Sequence, residues 1–396
     1  MSDNGFGALQ GLRMIELGQL IAGPFCGQLM ADHGAEVIKI EQPGSGDPMR
    51  EWGRNKPVWW PVIARNKKSV TLNLRVPEGQ DILRELVRDA DFLLENFRPG
   101  TMEKWGLGYD ELSKINPRLI MIRVSGYGQT GPYASRAGYG SIGEAMGGMR
   151  NLAGDPSTPP SRVGLSIGDS LAATYATLGA LMALQRRNVT GRGQVVDSAI
   201  YEAVLAMMES TIPEYTEAGF IRERTGSILP KVAPSNVYPT KDGEILIGAN
   251  QDSVWTRMAE AMGRPELGSD PRYSSHHARG ENQEELDELI SAWSIGFTSK
   301  DLLDLMEENG VPAGKIFKAP DMLEDPHFKA RDAVVKVEHQ SFQNIWMQNA
   351  FPKFSETPGE IHWPGPELGA HNEDVYKGIL GRSDADLARM KAEGII

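Results

Sequence analysis

Asp169 stands in the stretch Val163-Gly164-Leu165-Ser166-Ile167-Gly168-Asp169-Ser170, just before an Ala/Leu-rich segment, residues 171–186, that reads as a helix. A carboxylate at a helix start meets the positive end of the helix dipole and backbone N–H groups that have no intrahelical partner. Both keep it ionised, and an ionised carboxylate can attack an acyl carbon. The ordinary alternative is a helix cap, because Asp and Ser are favoured at that place on any helix.

Other chemistries find less support. Gly126-Tyr127-Gly128-Gln129-Thr130-Gly131 has dinucleotide-fingerprint spacing and follows a strand. That fingerprint needs a helix opening within the motif, and here Pro132 and the polar run Tyr133-Ala134-Ser135-Arg136 follow. A Gly-rich wall beside some other site is the better reading. The seven histidines are scattered, and His276-His277 are neighbours that do not share a face. No HExxH, CxxC or Gly-x-Ser-x-Gly pattern occurs. Cys26 is the single cysteine, so no intrachain disulfide forms, and its flanks suggest a packed thiol.

The elements that must position Asp169 follow from hydrophobic patterning. Residues 12–17, 36–41, 69–74, 91–96 and 118–125 read as strands. A helical stretch ending at Gly34 and a helix over 77–89, with Pro77 in its first turn, lie between them. Strand–helix alternation of this kind predicts a parallel, doubly wound α/β domain. After the helix at 171–186, residues 197–208 read as a second long helix. Residues 210–235 show little periodicity and are expected to be a linker. Residues 236–248 predict two strands about the turn Lys241-Asp242-Gly243. Helices at about 252–263, 281–294, 299–309 and 319–330 complete a smaller α+β domain. A second irregular stretch, about 341–373, precedes a capped helix at 383–393.

The chain has 396 residues, 40% hydrophobic and 24% charged, with formal net charge -12. Length alone suggests two or three domains. The acidic balance argues against nucleic-acid and anionic-membrane partners, while leaving room for a local basic pocket. No apolar run approaches the length of a membrane span, and no secretory signal is visible, so a cytoplasmic protein is expected.

Nine segments, in order over nearly the whole chain, resemble the family III CoA-transferases, a group that includes formyl-CoA transferase, the carnitine CoA-transferases and α-methylacyl-CoA racemase. They are residues Leu20–Pro24, Gly34–Glu41, Gly44–Asp47, Arg65–Leu72, Glu95–Gly100, Ser125–Gly128, Gly168–Ser170, Thr190–Gln194 and Thr240–Gly243. The resemblance implies a Rossmann-like large domain built from both chain ends (residues 1–209 and 374–396). It also implies a small α+β domain (236–330), linkers at 210–235 and 331–373, and a homodimer whose two chains interlock like rings.

It further implies that Asp169 is a nucleophile, passing through an aspartyl mixed anhydride and an aspartyl-CoA thioester. No cofactor would be permanently bound; a CoA thioester is the co-substrate and a small carboxylic acid the acceptor. By the same resemblance Leu72 meets the adenine, and Arg75 and Lys104 face phosphates. Ile21, Ala22, Asn96 and Phe97, with Arg98 and Tyr139, line the CoA path. Gly248, Ala249 and Asn250 form the lid and oxyanion loop, although residues 247–251 hold a single glycine where the family's lid is Gly-rich. Gln42 stands where an arginine is usual, so Lys67 or Lys68 is the expected phosphate partner in its stead.

The racemase reading needs an acid/base pair, a His near the Gly-rich wall and an Asp equivalent to Asp169; in the matching segment Ala137-Gly138-Tyr139-Gly140, Tyr139 replaces that His and Gly140 the Asp that follows it. Tyrosine, with a pKa near ~10, is a poor base at neutral pH, which favours the transferase. Gln129, Tyr139 and Glu144 are candidates to shape the acceptor pocket. Arg136 is a candidate second cation for a dicarboxylate, as in members that use succinyl-CoA.

Overall fold

A computed structural model describes residues 6–396. The chain divides into two compact units: residues up to Met149 with Gly164–Ala218 and Ala330–Ile396, and Arg150–Val163 with Gly219–Lys329.

The first unit is built on six strands: β1 (Arg13–Glu16), β2 (Glu36–Glu41), β3 (Lys67–Thr71), β4 (Phe92–Glu95), β5 (Ile120–Ser125) and β6 (Val195–Ala199). They pair in the order β3-β2-β1-β4-β5-β6, every pair parallel. Strand order therefore reverses between β1 and β4, and in such sheets ligands bind outside the carboxyl ends of the strands at that switch point. Four helices matter for the site: α1 (Ala22–Asp32), α2 (Gly140–Met146), α3 (Ile167–Thr190) and α4 (Ile200–Leu205).

Two expectations are corrected here. The helix expected over 197–208 is an edge strand followed by α4. The apolar periodicity that begins at Ala199 obscured Val195-Val196, a β-branched pair after the Gly191/Gly193 break. The helix expected from 171 begins at Ile167, with Ser166 as its N-cap, so Asp169 lies inside the first turn.

Helix α3 buries Ala172, Ala176, Ala180 and Ala183 along one face. They share a core with Ala22, Cys26 and Met30 of α1 and with Ile122 and Val124 of β5. Small side chains let the helix backbone approach the sheet and α1 closely. Burial pushes the Cys26 thiol up to about 12, an inert packed group as expected. Contrary to the sequence reading, α3 has the length and mean hydropathy, 1.3 over 18 residues, of a bilayer-crossing helix. Its alanine face is packed on the domain, as in the core helix of an α/β fold. Ala176→Leu forces three extra carbons into that contact and should destabilise the protein by about 1–3 kcal/mol, read as a lower denaturant midpoint at unchanged m.

The second unit carries an antiparallel sheet of β7 (Ser235–Pro239), β8 (Glu244–Gly248) and β9 (Ala313–Lys315), with helices packed around Trp255, Tyr238 and Ile290. Residues 210–235 are not wholly irregular: Thr211–Ala218 is a helix, whose Pro213 lies in the first turn where no N–H is needed. Residues 341–373 likewise hold β11 (Gln343–Gln348), the second strand of a hairpin with β10 (Val334–His339), turned without a glycine and hence silent in sequence. The C-terminal segment returns to the first unit, where Asn372 and Tyr376 hydrogen-bond β3 and close that sheet edge.

Candidate active site

Asp169 is the third residue of α3 and is half-buried. The far end of α3 identifies the edge of the sheet on which it lies. Arg187 donates to the Asp91 carboxylate at 2.8 Å and reaches the carbonyls of Asp91 and Arg118, all at the amino ends of β4 and β5. Eighteen residues at the helical rise put Asp169 about 27 Å away along α3, at the carboxyl ends of the strands.

The carboxylate lies against a glycine of α2. A Cβ at Gly140 would overlap the carboxylate, lying 2.6 Å from Asp169 Cγ. Gly168 in turn sits 3.0 Å, by its ideal Cβ, from the Gly140 carbonyl. Gly143 and Gly147 lie equally close to Ile200 and Val204 of α4. Glycines at every contact let α2 settle directly on α3 and α4, with the Asp169 carboxylate over the first residue of α2. Glu144 is buried on the same face of α2.

The Gly-rich wall after β5 takes the expected irregular form. Gly126 and Gly138 meet backbone to backbone, and the Ser125 hydroxyl accepts from Gly128 N at 2.9 Å. The Asp197 carboxylate accepts from Gln129 N at 2.8 Å; burial raises its pKa above the usual carboxylate range. Tyr139 is the N-cap of α2 and is 69% exposed. Arg136 stacks its guanidinium on Tyr133 at 3.7 Å.

The residues proposed for CoA fall in the loops at the carboxyl ends of β1, β3 and β4. Ile21 and Ala22 open α1 and are buried. The Asn96 side chain is committed to the β1–α1 loop: its amide donates to Gln19 O and its oxygen accepts from Gln19 N, both at 2.8 Å. Phe97 packs edge-on to Trp105 at 5.4 Å. Leu72 is 2% exposed and lies within the core under β3. Arg75, Arg98 and Lys104 are exposed, and none of the three pairs with a carboxylate among the described residues.

The phosphate role expected of Lys67 or Lys68 is corrected. Lys67 is fully buried, its ammonium 2.8 Å from Glu16 and bonded to Pro24 O at 2.7 Å. Lys68 pairs with Glu36 at 2.6 Å. Arg65 grips Asp32 through Nε and Nη2, the latter at 2.6 Å. Lys67 and Arg65 are buried in the fold, and Lys68 is engaged by Glu36.

In the second unit, the loop at 248–250 is pinned. Gly248 N donates to Pro312 O and Ala249 N to Pro234 O, so these two N–H groups are already engaged. Asn250 O accepts from Arg279, a fully buried guanidinium that also holds Ala233 O, Tyr273 O and the Asp252 carboxylate. Arg279→Ala strands the buried Ala233 and Tyr273 carbonyls and should cost about 2 kcal/mol or more. Hydrogen exchange should show residues 249–252 losing protection before the rest of that unit; uniform loss would contradict this local role.

The parallel sheet, with Asp169 at the carboxyl ends of its strands, is a doubly wound α/β fold. The model of CoA-transferase family III matches residues 9–372, and the chain belongs to that family; it is a CoA-transferase. It is 59% identical over 393 residues to the succinyl-CoA–D-citramalate CoA-transferase of Chloroflexus aurantiacus, covering 98% of each chain. It is 41% identical to the beta subunit of the succinyl-CoA–L-malate CoA-transferase of that organism, again covering 98% of each. A CaiB/BaiF family protein from Brucella suis superposes with TM-score 0.84 at 32% identity, covering 94% of this chain and 99% of that one.

Proposed function

We propose that this protein transfers CoA from succinyl-CoA to a small dicarboxylate of the citramalate or malate type, with Asp169 as nucleophile. The observation that carries the reading is the Asp169 carboxylate held over Gly140 at the carboxyl edge of the sheet. The substrates are inferred from the likeness to the two Chloroflexus enzymes.

The Asp169 oxygen attacks the thioester carbonyl, the C–S bond breaks, and CoA leaves as thiolate, giving an aspartyl–succinyl anhydride. The thiolate then attacks the aspartyl carbonyl and expels succinate, leaving an aspartyl-CoA thioester. An acceptor carboxylate oxygen attacks that thioester and releases the thiolate again. The thiolate takes the acceptor acyl group and frees Asp169. Every step exchanges one activated acyl bond for another, so the cycle works only if water is kept out. The early turn of α3 favours the anionic side chain that starts it. Arg75, Arg98 and Lys104, all exposed and unpaired, suit the CoA phosphates, and Arg136 or Tyr139 suits the acceptor's distal carboxylate.

A second copy of the chain fits the outer face of α3. Tyr175, Leu178, Met182 and Val189 recur there at helical spacing and are exposed, Val189 by 74%. A row of exposed apolar side chains along one helix face suits an interface, in keeping with the interlocked homodimer the family resemblance implies.

Incubating the enzyme with succinyl-CoA and a panel of carboxylates tests the assignment. Citramalate or malate should give the highest kcat/KM among the acids. Preference for a monocarboxylate, or deuterium exchange at the α-carbon of a 2-methylacyl-CoA without carboxylate exchange, would refute it.

A further inference from the structure

The β1–α1 loop at the switch point is held by a buried cluster of charges. Register makes Glu16 of β1 the neighbour of Lys39 of β2. Lys39 donates to the Gly18 carbonyl and to Asp47 Oδ2 at 2.9 Å, with Glu16 at 3.4 Å. Asp47 Oδ1 accepts from Leu20 N at 3.1 Å and from Met49 N at 2.9 Å. Asn96 takes both polar groups of Gln19. Thus Gly18, Gln19 and Leu20 each have a backbone group gripped by a side chain from a different segment.

Leu20 is held at φ 63°, a left-handed conformation that a branched side chain rarely adopts. Such a residue persists only where its surroundings over-determine it. Lys39, Asp47 and Glu16 are each at most 2% exposed. Buried ion pairs are poor stability devices, since well-packed apolar residues often do as well; the geometry they impose is the better account of them. Burial alone would lower the Lys39 pKa, but Asp47, Glu16 and Glu41 outweigh it and hold the ammonium charged. Burial alone would raise Asp47, but Lys39 and the amides of Met49 and Leu20 hold it ionised.

We propose that Lys39 and Asp47 are positioning residues for CoA: together they lock Gly18–Leu20 in the one shape that presents Ile21 and Ala22 to the pantetheine arm. The inference rests on the CoA path proposed above, and its test does not require Asp169 to react. Asp47→Asn removes the charge, Asp47→Glu keeps it but displaces the carboxylate, and Leu20→Pro removes the N–H and forbids the left-handed φ. Leu20→Pro takes one hydrogen bond from Asp47 but leaves the Lys39–Asp47 ion pair in place, so it serves if an Asp47 variant does not fold.

Each folded variant should bind free CoA at least tenfold more weakly by calorimetry. Its KM for succinyl-CoA should rise in parallel, with kcat at saturation within threefold of the parent. Folded variants that bind CoA within twofold of the parent would overturn the proposal, as would a fall in kcat with KM unmoved. Asp169→Ala, by contrast, should leave CoA affinity intact, so failure of the nucleophile assignment and failure of the clasp give different results.

Discussion

Asp169→Ala is expected to lower kcat for CoA transfer by at least about a thousandfold, close to 4 kcal/mol of barrier. Affinity for free CoA should be unchanged, because the unpaired cations, the α1 start and the loop that follows β4 remain in place. Asp169→Asn is the more stringent form. The amide nearly matches the carboxylate in volume, so the contact with Gly140 survives while the nucleophile is gone. Its kcat should fall as far as that of alanine. If the asparagine variant kept a tenth of the parent rate, the side chain would be a helix cap and the chemistry would lie elsewhere.

Gly140→Ala is expected to have the next largest effect, about a hundredfold in kcat, the loss that misplacement by about 1 Å can bring. The new methyl group would overlap the Asp169 carboxylate and could be accommodated only by turning that side chain or by lifting α2 from α3. The small increase in bulk separates this from a folding defect: thermal stability should fall little while kcat collapses. A variant with normal kcat would mean that the carboxylate moves freely and that its position against α2 has no part in the reaction.

The sheet was largely legible in sequence because β1, β2, β4 and β5 are short, largely apolar runs bounded by breaks, and burial on both faces writes itself into composition; β3 opens on two lysines, two residues before the strand expected at 69–74. The sixth strand was hidden, since Asp197 and Ser198 on an edge carry little apolar signal before the α4 periodicity takes over. Asp169 could be singled out from its helix-start context, but its partner could not. Gly140 has no side chain to advertise a contact, and the contact arises only when α2 packs on α3. The run Arg65–Lys68 misled for the opposite reason. Cations in sequence look available to phosphate, and nothing local reveals that Asp32, Glu16 and Glu36 reach them from other strands and helices. Lys39 and Glu41 did carry a signal, two charges at alternate positions of a strand flanked on both sides. Read by period, that pattern indicates one buried polar face on an otherwise apolar strand.

Mass spectrometry of the enzyme quenched during turnover with succinyl-CoA measures the central claim most directly. The account predicts that the peptide containing Asp169 gains the mass of CoA less one water, that hydroxylamine removes it, and that the Asp169→Asn protein never acquires it. Turnover at full rate with that peptide unmodified, or the adduct on another residue, would contradict it.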